Sequence, residues 1–226
     1  SFFWTGLDPE VARITEAALE TLRGAGVERG EGELPGVGRL IDLITNFVTD
    51  HDFRPAMTRY LAEYHTGVSF DELIAQASPD TRRMMEPVLT LGGAEFVTES
   101  QYTAAVTVHL PALHALYRDY FKRTGVAAVV FPATIVTAPP IEGSAREEDM
   151  YVEVAGRRML FDDAVSRNIA PGSTAGLPGL VLPAGLSREG LPVALEFDGP
   201  SGADRKLLSL GLALEAGVGY MRLRAA

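Results

Sequence analysis

The sequence predicts an α/β protein, with a mixed central sheet surrounded by helices, in which a helical first half (1–124) precedes a strand-rich second half (125–226) that ends in a helix. Three observations carry that expectation. Apolar residues recur every three or four positions through much of the first half, the period of a helix with one buried face. Val126 to Phe131 is then an apolar run without alternation, which suits a strand covered on both faces in a parallel or mixed sheet. Further on, two apolar runs flank Ser187-Arg188-Glu189-Gly190 as the arms of a hairpin flank its turn.

Taken in order, Asp8-Pro9-Glu10 is a helix start: a capping carboxylate, a proline in the first turn and an acid at the positive end of the dipole. Val11, Ile14, Ala18 and Leu22 follow at helical spacing, and Gly24 or Gly26 ends the element. Val27 to Leu34 is expected to form a short edge strand. From Gly38 to Gly67 the pattern is helical again, with Leu40, Leu43, Ile44 and Phe47 on one face. Ser69 and Glu72 stand three apart as a capping box, and Ser78-Pro79-Asp80 opens the next helix. Phe96 to Arg123 predicts one long helix, bent at Pro111 and rich in aromatics: Tyr102, Tyr117, Tyr120 and Phe121. After the run at Val126, Tyr151 to Leu160 predicts a small hairpin about Ala155-Gly156. Gly179 to Pro183 and Pro192 to Phe197 predict the larger hairpin, and Asp204 to Ala216 a last amphipathic helix. There is no internal repeat and no low-complexity linker, so residues 1–226 read as one domain or part of one.

Composition narrows the function. The formal charge is −10, from thirty acidic against twenty basic side chains. A surface so negative repels phosphate backbones and anionic lipid, so neither nucleic acid nor a membrane is expected as a partner. The long uncharged stretch Ile169 to Ser187 holds Pro171, Pro178 and Pro183 and cannot form a continuous helix in lipid. No cysteine is present, which excludes disulfides and thiolate chemistry and fits a reducing cytoplasm. The chain opens Ser1-Phe2-Phe3-Trp4, with neither a secretory signal nor an initiator methionine, which fits tag removal or processing as well as a start partway through a longer protein.

The residue types offer no nucleophile–base pair. G-x-S-x-G, H-E-x-x-H and Walker A patterns are absent. His109 and His114 are five apart on a predicted helix and point to different faces, where a metal pair would want four; with His51 and His65 they read as surface or helix-packing groups. The acidic clusters Asp162-Asp163 and Glu147-Glu148-Asp149 lack further ligands at regular intervals and read as solvated loop. The most suggestive stretch is Pro171-Gly172-Ser173-Thr174-Ala175-Gly176. Its small residues would let backbone approach a ligand closely, and they would equally make a tight buried loop before a strand.

Ala170 to Glu196 reads APGSTAGLPGLVLPAGLSREGLPVALE, which resembles a C-terminal block of the amidase-signature family. Phe131-Pro132-Ala133-Thr134 through Ala138-Pro139-Pro140-Ile141 is similar to that family's strand-plus-proline segment. Arg82-Arg83-Met84-Met85 to Tyr102 is similar to a helical block, and the opening Asp8-Pro9-Glu10-Val11 helix fits its central region. Pro171-Gly172-Ser173, Leu195-Glu196-Phe197-Asp198-Gly199-Pro200 and Asp204-Arg205-Lys206-Leu207-Leu208 look most like the mandelamide and indoleacetamide hydrolase branch.

The resemblance implies the C-terminal part of an amidase-signature fold, and an enzyme that cleaves small aryl or arylalkyl carboxamides to acid and ammonia. The family uses a Ser–Ser–Lys triad with backbone oxyanion donors, and needs no cofactor and no metal. The G-G-S-S-G-G-S signature and the lysine block before it are absent here, and neither Lys122 nor Lys206 stands in the lysine's context. No catalytic residue is therefore assigned. The resemblance implies a pocket wall at Asn168, Ile169, Gly172 and Ser173, with Thr134 after a strand end that also reaches the pocket. The partners it implies are the amide substrate and a missing N-terminal half or complementing chain, with homo-oligomers allowed. A binding or scaffold fragment without turnover, and an amidotransferase A-type subunit, are the alternatives. Without the other half the sheet's apolar faces are expected to be uncovered.

Overall fold

Asp8 opens helix α1 (Pro9–Gly24): one carboxylate oxygen accepts from the Glu10 and Val11 N–H groups at 2.8 and 3.3 Å. The apolar stripe expected of this helix buries Val11, Ile14, Leu19 and Leu22, each worth about 1.5–3 kcal/mol of burial. The computed structural model describes residues 2–93, 96–139 and 151–218. Pro140, Ile141 and the acidic run Glu147–Asp149 lie outside the described residues.

Val27 to Leu34 is not a strand. The Val27 N–H is spent on the end of α1, donating to the Leu22 carbonyl at 3.1 Å, and the glycines and charges that follow give no apolar face to pair; only Leu34 is buried. The helical stretch that follows divides into α2 (Val37–Asp42) and α3 (Thr45–Glu63). It breaks at Ile44, whose φ of −123° leaves helical geometry while its side chain enters the core. Both predicted caps form. Ser69 and Glu72 exchange bonds in a capping box before α4 (Phe70–Gln76), and Ser78 caps α5 (Pro79–Leu89). The long helix is continuous in space but not in type: α6 (Glu99–Ala104), a π-helical turn (Ala105–His109), then α7 (Leu110–Thr124). The irregularity lies ahead of Pro111 rather than at it. A proline supplies no N–H to the preceding turn, and one wide turn absorbs the lost bond.

The strands are β1 (Val129–Pro132), β2 (Tyr151–Val154), β3 (Arg157–Leu160), β4 (Gly179–Leu186) and β5 (Pro192–Asp198), with helices α8 (Phe161–Ser166), α9 (Ala170–Thr174) and α10 (Asp204–Val218). Asp162 and Asp163, expected in a loop, form the first turn of α8. β2 and β3 make the small hairpin; Ala155 and Gly156 turn it at φ of 50° and 74°, the paired positive values a two-residue hairpin needs. The larger sheet has the order β1-β5-β4, and its pairings are all antiparallel. The α/β class stands, but β1 is an edge strand here and no mixed pairing occurs among the described residues.

Alternation along β5 separates two faces. Val193, Leu195 and Phe197 point to one, where with Leu180 and Leu182 they meet α1 and Leu207 and Leu214 of α10. On the other, Phe131 of β1 stacks on Phe3 at 4.2 Å and joins Tyr117 and Phe121 of α7, Val37 of α2 and Ala175 beyond α9. A third cluster, Leu7, Ile135, Val154 and Ala164, seats the small hairpin and α8. No helix among the described residues is long and apolar enough to cross a membrane.

Candidate functional site

The glycine-rich stretch is a helical turn, not a loop. Pro171 sits in the first turn of α9, where its missing N–H costs nothing. Ser173 donates to the Ile169 carbonyl at 3.2 Å, and Ala175 to that of Pro171 at 3.0 Å. Gly176 ends the turn at φ 63°. Pro171 and Gly172 are buried against the sheet, while Ser173 is exposed.

Four of the five residues expected in the pocket wall share this turn and its approach. Asn168 is fully buried; its NH2 donates to the Phe3 carbonyl at 3.0 Å and the Pro132 carbonyl at 2.7 Å. It thereby ties the N-terminal turn, the end of β1 and the start of α9 together, and its Oδ1 is buried without a hydrogen-bond partner. Ile169 is half-buried. Thr134 stands apart, two residues past β1, and spends its hydroxyl on the Val136 carbonyl at 2.8 Å. Thr174, at the end of α9, shares a hydrogen bond of 3.0 Å with Thr45 of α3.

Beneath α9 lie three polar groups that the sequence pattern hid. Glu196 and Asp198 leave the face of β5 opposite α1 and α10, and both are buried. The Asp198 carboxylate rests on Gly172, where a Cβ would stand 2.2 Å from Oδ2. Glu196 Oε1 and Asp198 Oδ1 converge on Gly179, 3.0 and 3.3 Å from the position of its Cβ. Loss of hydration raises Asp198 from the ordinary 3.8 to about 7, and the neighbouring Glu196 pushes the same way. Burial raises Glu196 as well, against a hydrogen bond with Asp198 that lowers it. The Tyr117 phenol is pushed upward by burial first, then by the two carboxylates. On a strand, acids alternating with Leu195 and Phe197 read as a solvent face. Only the position of β5 between β1 and β4, under α9, makes that face an interior.

A hollow of about 320 Å³ lies between Thr58, Leu61, Val68 and Phe70, and one of about 230 Å³ between Phe2, Leu34, Pro35 and Val37. Among the described residues no group of three His, Cys, Asp or Glu side chains could hold a metal. His51 packs helices: it stacks on Tyr102 at 3.8 Å and bridges Asp52 and Glu99 at 3.0 and 3.1 Å. The hydrogen bond with Asp52 is the main reason its pKa is raised.

The profile of the family described as Amidase matches residues 1–208. Indoleacetamide hydrolase of Agrobacterium vitis is 31% identical over 97% of this chain and 46% of its own length. Mandelamide hydrolase of Pseudomonas putida is 33% identical over 96% of this chain and 42% of its own. A crystal structure of an amidase superposes with a TM-score of 0.70 at 28% identity, covering 96% of this chain and 44% of that one. The chain thus spans less than half the length of the relatives it matches.

Proposed function

This chain belongs to the amidase family, and we propose that it forms the acyl-side wall of a hydrolase that converts small aryl or arylalkyl carboxamides and water to the carboxylic acid and ammonia. The observation that carries the reading is the unbroken family match from the first residues to α10, alongside relatives named for indoleacetamide and mandelamide. In this reading Ile169 and Ser173 face the acyl group, the one with apolar surface and the other with a free hydroxyl. Asn168 and Gly172 hold the turn from beneath, and Thr134 lines the strand end beside it.

The nucleophile stands on polypeptide other than these 226 residues. A serine hydroxyl attacks the carbonyl once a base takes its proton, and a second serine passes that proton between the nucleophile and a buried neutral lysine. Backbone N–H groups meet the oxyanion, and protonated amine leaves as ammonia. Water then repeats the sequence on the acyl-enzyme and releases the acid. This chain contributes shape and an apolar surface to that cycle, and on its own turns nothing over.

The test is ammonia release from phenylacetamide, mandelamide and indoleacetamide, measured for the completed enzyme and for this chain alone. The completed enzyme is expected to hydrolyse at least one of them. The chain alone is expected to release no ammonia above the uncatalysed background, because the groups that attack the carbonyl are not on it. A completed enzyme inert to every amide in the panel sinks the substrate class, and turnover by the isolated chain sinks the division of labour.

A further inference from the structure

Glu196 and Asp198 are two apart on β5, so both side chains leave the same face of the central strand. Glu196 is 8% exposed and Asp198 1%. The room they occupy is left by two absent side chains, those of Gly172 on α9 and Gly179 on β4. Among the described residues neither carboxyl forms an ion pair, and Glu196 Oε2, Asp198 Oδ2 and the Tyr117 hydroxyl are buried without hydrogen-bond partners. The titratable groups facing the pair are each other and, from α7, Tyr117. β1 presents Val129 and Phe131 beside them, β4 presents Val181, and α9 presents backbone.

Two carboxylates converging in such a place are not both ionised, because burial strips their hydration and no countercharge among the described residues offsets their repulsion. A single proton held between them turns the repulsion into a charge-assisted hydrogen bond. The contact with Gly172 then links that proton to α9. With one charge on the pair, the turn can rest on Asp198. With two, the carboxylates must separate or draw in solvent, and the backbone above them is what gives way.

We propose that Glu196 and Asp198 are a positioning pair that holds one proton between its carboxyl groups and in that state seats α9, with Gly172 and Ser173, against the sheet. For catalysis this rests on the reading of α9 as the acyl wall. Neither residue touches the reacting atoms. Loss of the shared proton moves the wall, so binding of the acyl group weakens while the groups that make and break bonds stay in place. The pair therefore governs KM more than kcat.

The experiment follows hydrogen exchange at the Ser173, Ala175 and Leu177 amides of this chain between pH 5 and pH 8, corrected for the intrinsic base-catalysed rate. It compares the wild type with Asp198→Asn and Glu196→Gln. The carboxamide introduced at either position donates an N–H to the remaining carboxylate, as the shared proton does. In the wild type these amides are expected to lose about tenfold in protection across the range, the factor that one pKa unit of differential interaction is worth. Both variants are expected to keep at pH 8 the protection seen at pH 5. The infrared carbonyl band of a buried protonated carboxyl should be present in the wild type at pH 6 and absent from both variants.

In the completed enzyme, KM for the amide should rise with pH in the wild type and stay level in the variants, with kcat moving less. Protection in the wild type that does not change with pH, or the absence of the carboxyl band, overturns the proposal even if neither variant folds. An enzyme that hydrolyses no amide removes the functional reading, and exchange at α9 still decides whether the pair holds the turn.

Discussion

Asp198 shows how a residue's place changes its chemistry. Its carboxyl titrates near 7 in the folded chain and near the ordinary 3.8 once unfolded. Between those values the folded state keeps a proton that the unfolded state has released. The stability this provides is complete below about pH 4 and is lost as pH rises through about 7. Thermal melts of this chain should therefore fall by several degrees from pH 5 to pH 8, and Asp198→Asn should flatten the slope. His51, also raised, acts in the same direction below its own titration, so the difference between wild type and variant isolates the carboxyl pair. A variant with the wild-type slope would show that Asp198 is ionised throughout. At Gly172 a methyl group would meet the Asp198 carboxylate at 2.2 Å, and Gly172→Ala should destabilise the chain by about 1–3 kcal/mol, measured by urea titration.

Among the elements, those whose signals are local were legible in the sequence. Asp8, Ser69 and Ser78 each cap the helix that the spacing assigns to them, because a cap is decided within four residues of its own helix. Asp8→Ala should remove about 1 kcal/mol and lower the melting temperature by about 2–4 °C, with circular dichroism as the readout. Two elements read differently because their fate depends on neighbours. Val27 to Leu34 has strand-like residues at its ends but no partner strand among the described residues, and its backbone closes α1 instead. Pro171 to Gly176 reads as a loop from its glycines, yet packing of Pro171 and Ala175 into the core winds it into a turn.

For the whole molecule, the surface follows from the order β1-β5-β4. β4 stands at the sheet's edge, and Val181 and Leu186 on it are 53% and 45% exposed. On α10, Leu208 and Leu212 are 60% and 70% exposed. Among the described residues no strand pairs with the outer edge of β4, and such an edge beside apolar side chains pairs readily with another chain. The isolated chain should therefore associate at micromolar concentration, as size-exclusion chromatography with light scattering would show. A monodisperse monomer with a cooperative melt would contradict this.

Sequence alone determined the helical first half and strand-rich second half, the capped helices, the two hairpins and the family, because periodicity, caps and turn residues act over a few positions and family blocks keep their order. It also singled out Asn168, Ile169, Gly172 and Ser173, which we propose as part of the acyl wall. Tertiary structure decided what the α9 turn rests on. Glu196 and Asp198 alternate with apolar neighbours as a solvent-facing pair would, and Gly172 and Gly179 are ordinary glycines until α9 and β4 bring them over those carboxyls. Burial is a property of what lies across from a residue, and nothing within a strand's own sequence specifies it.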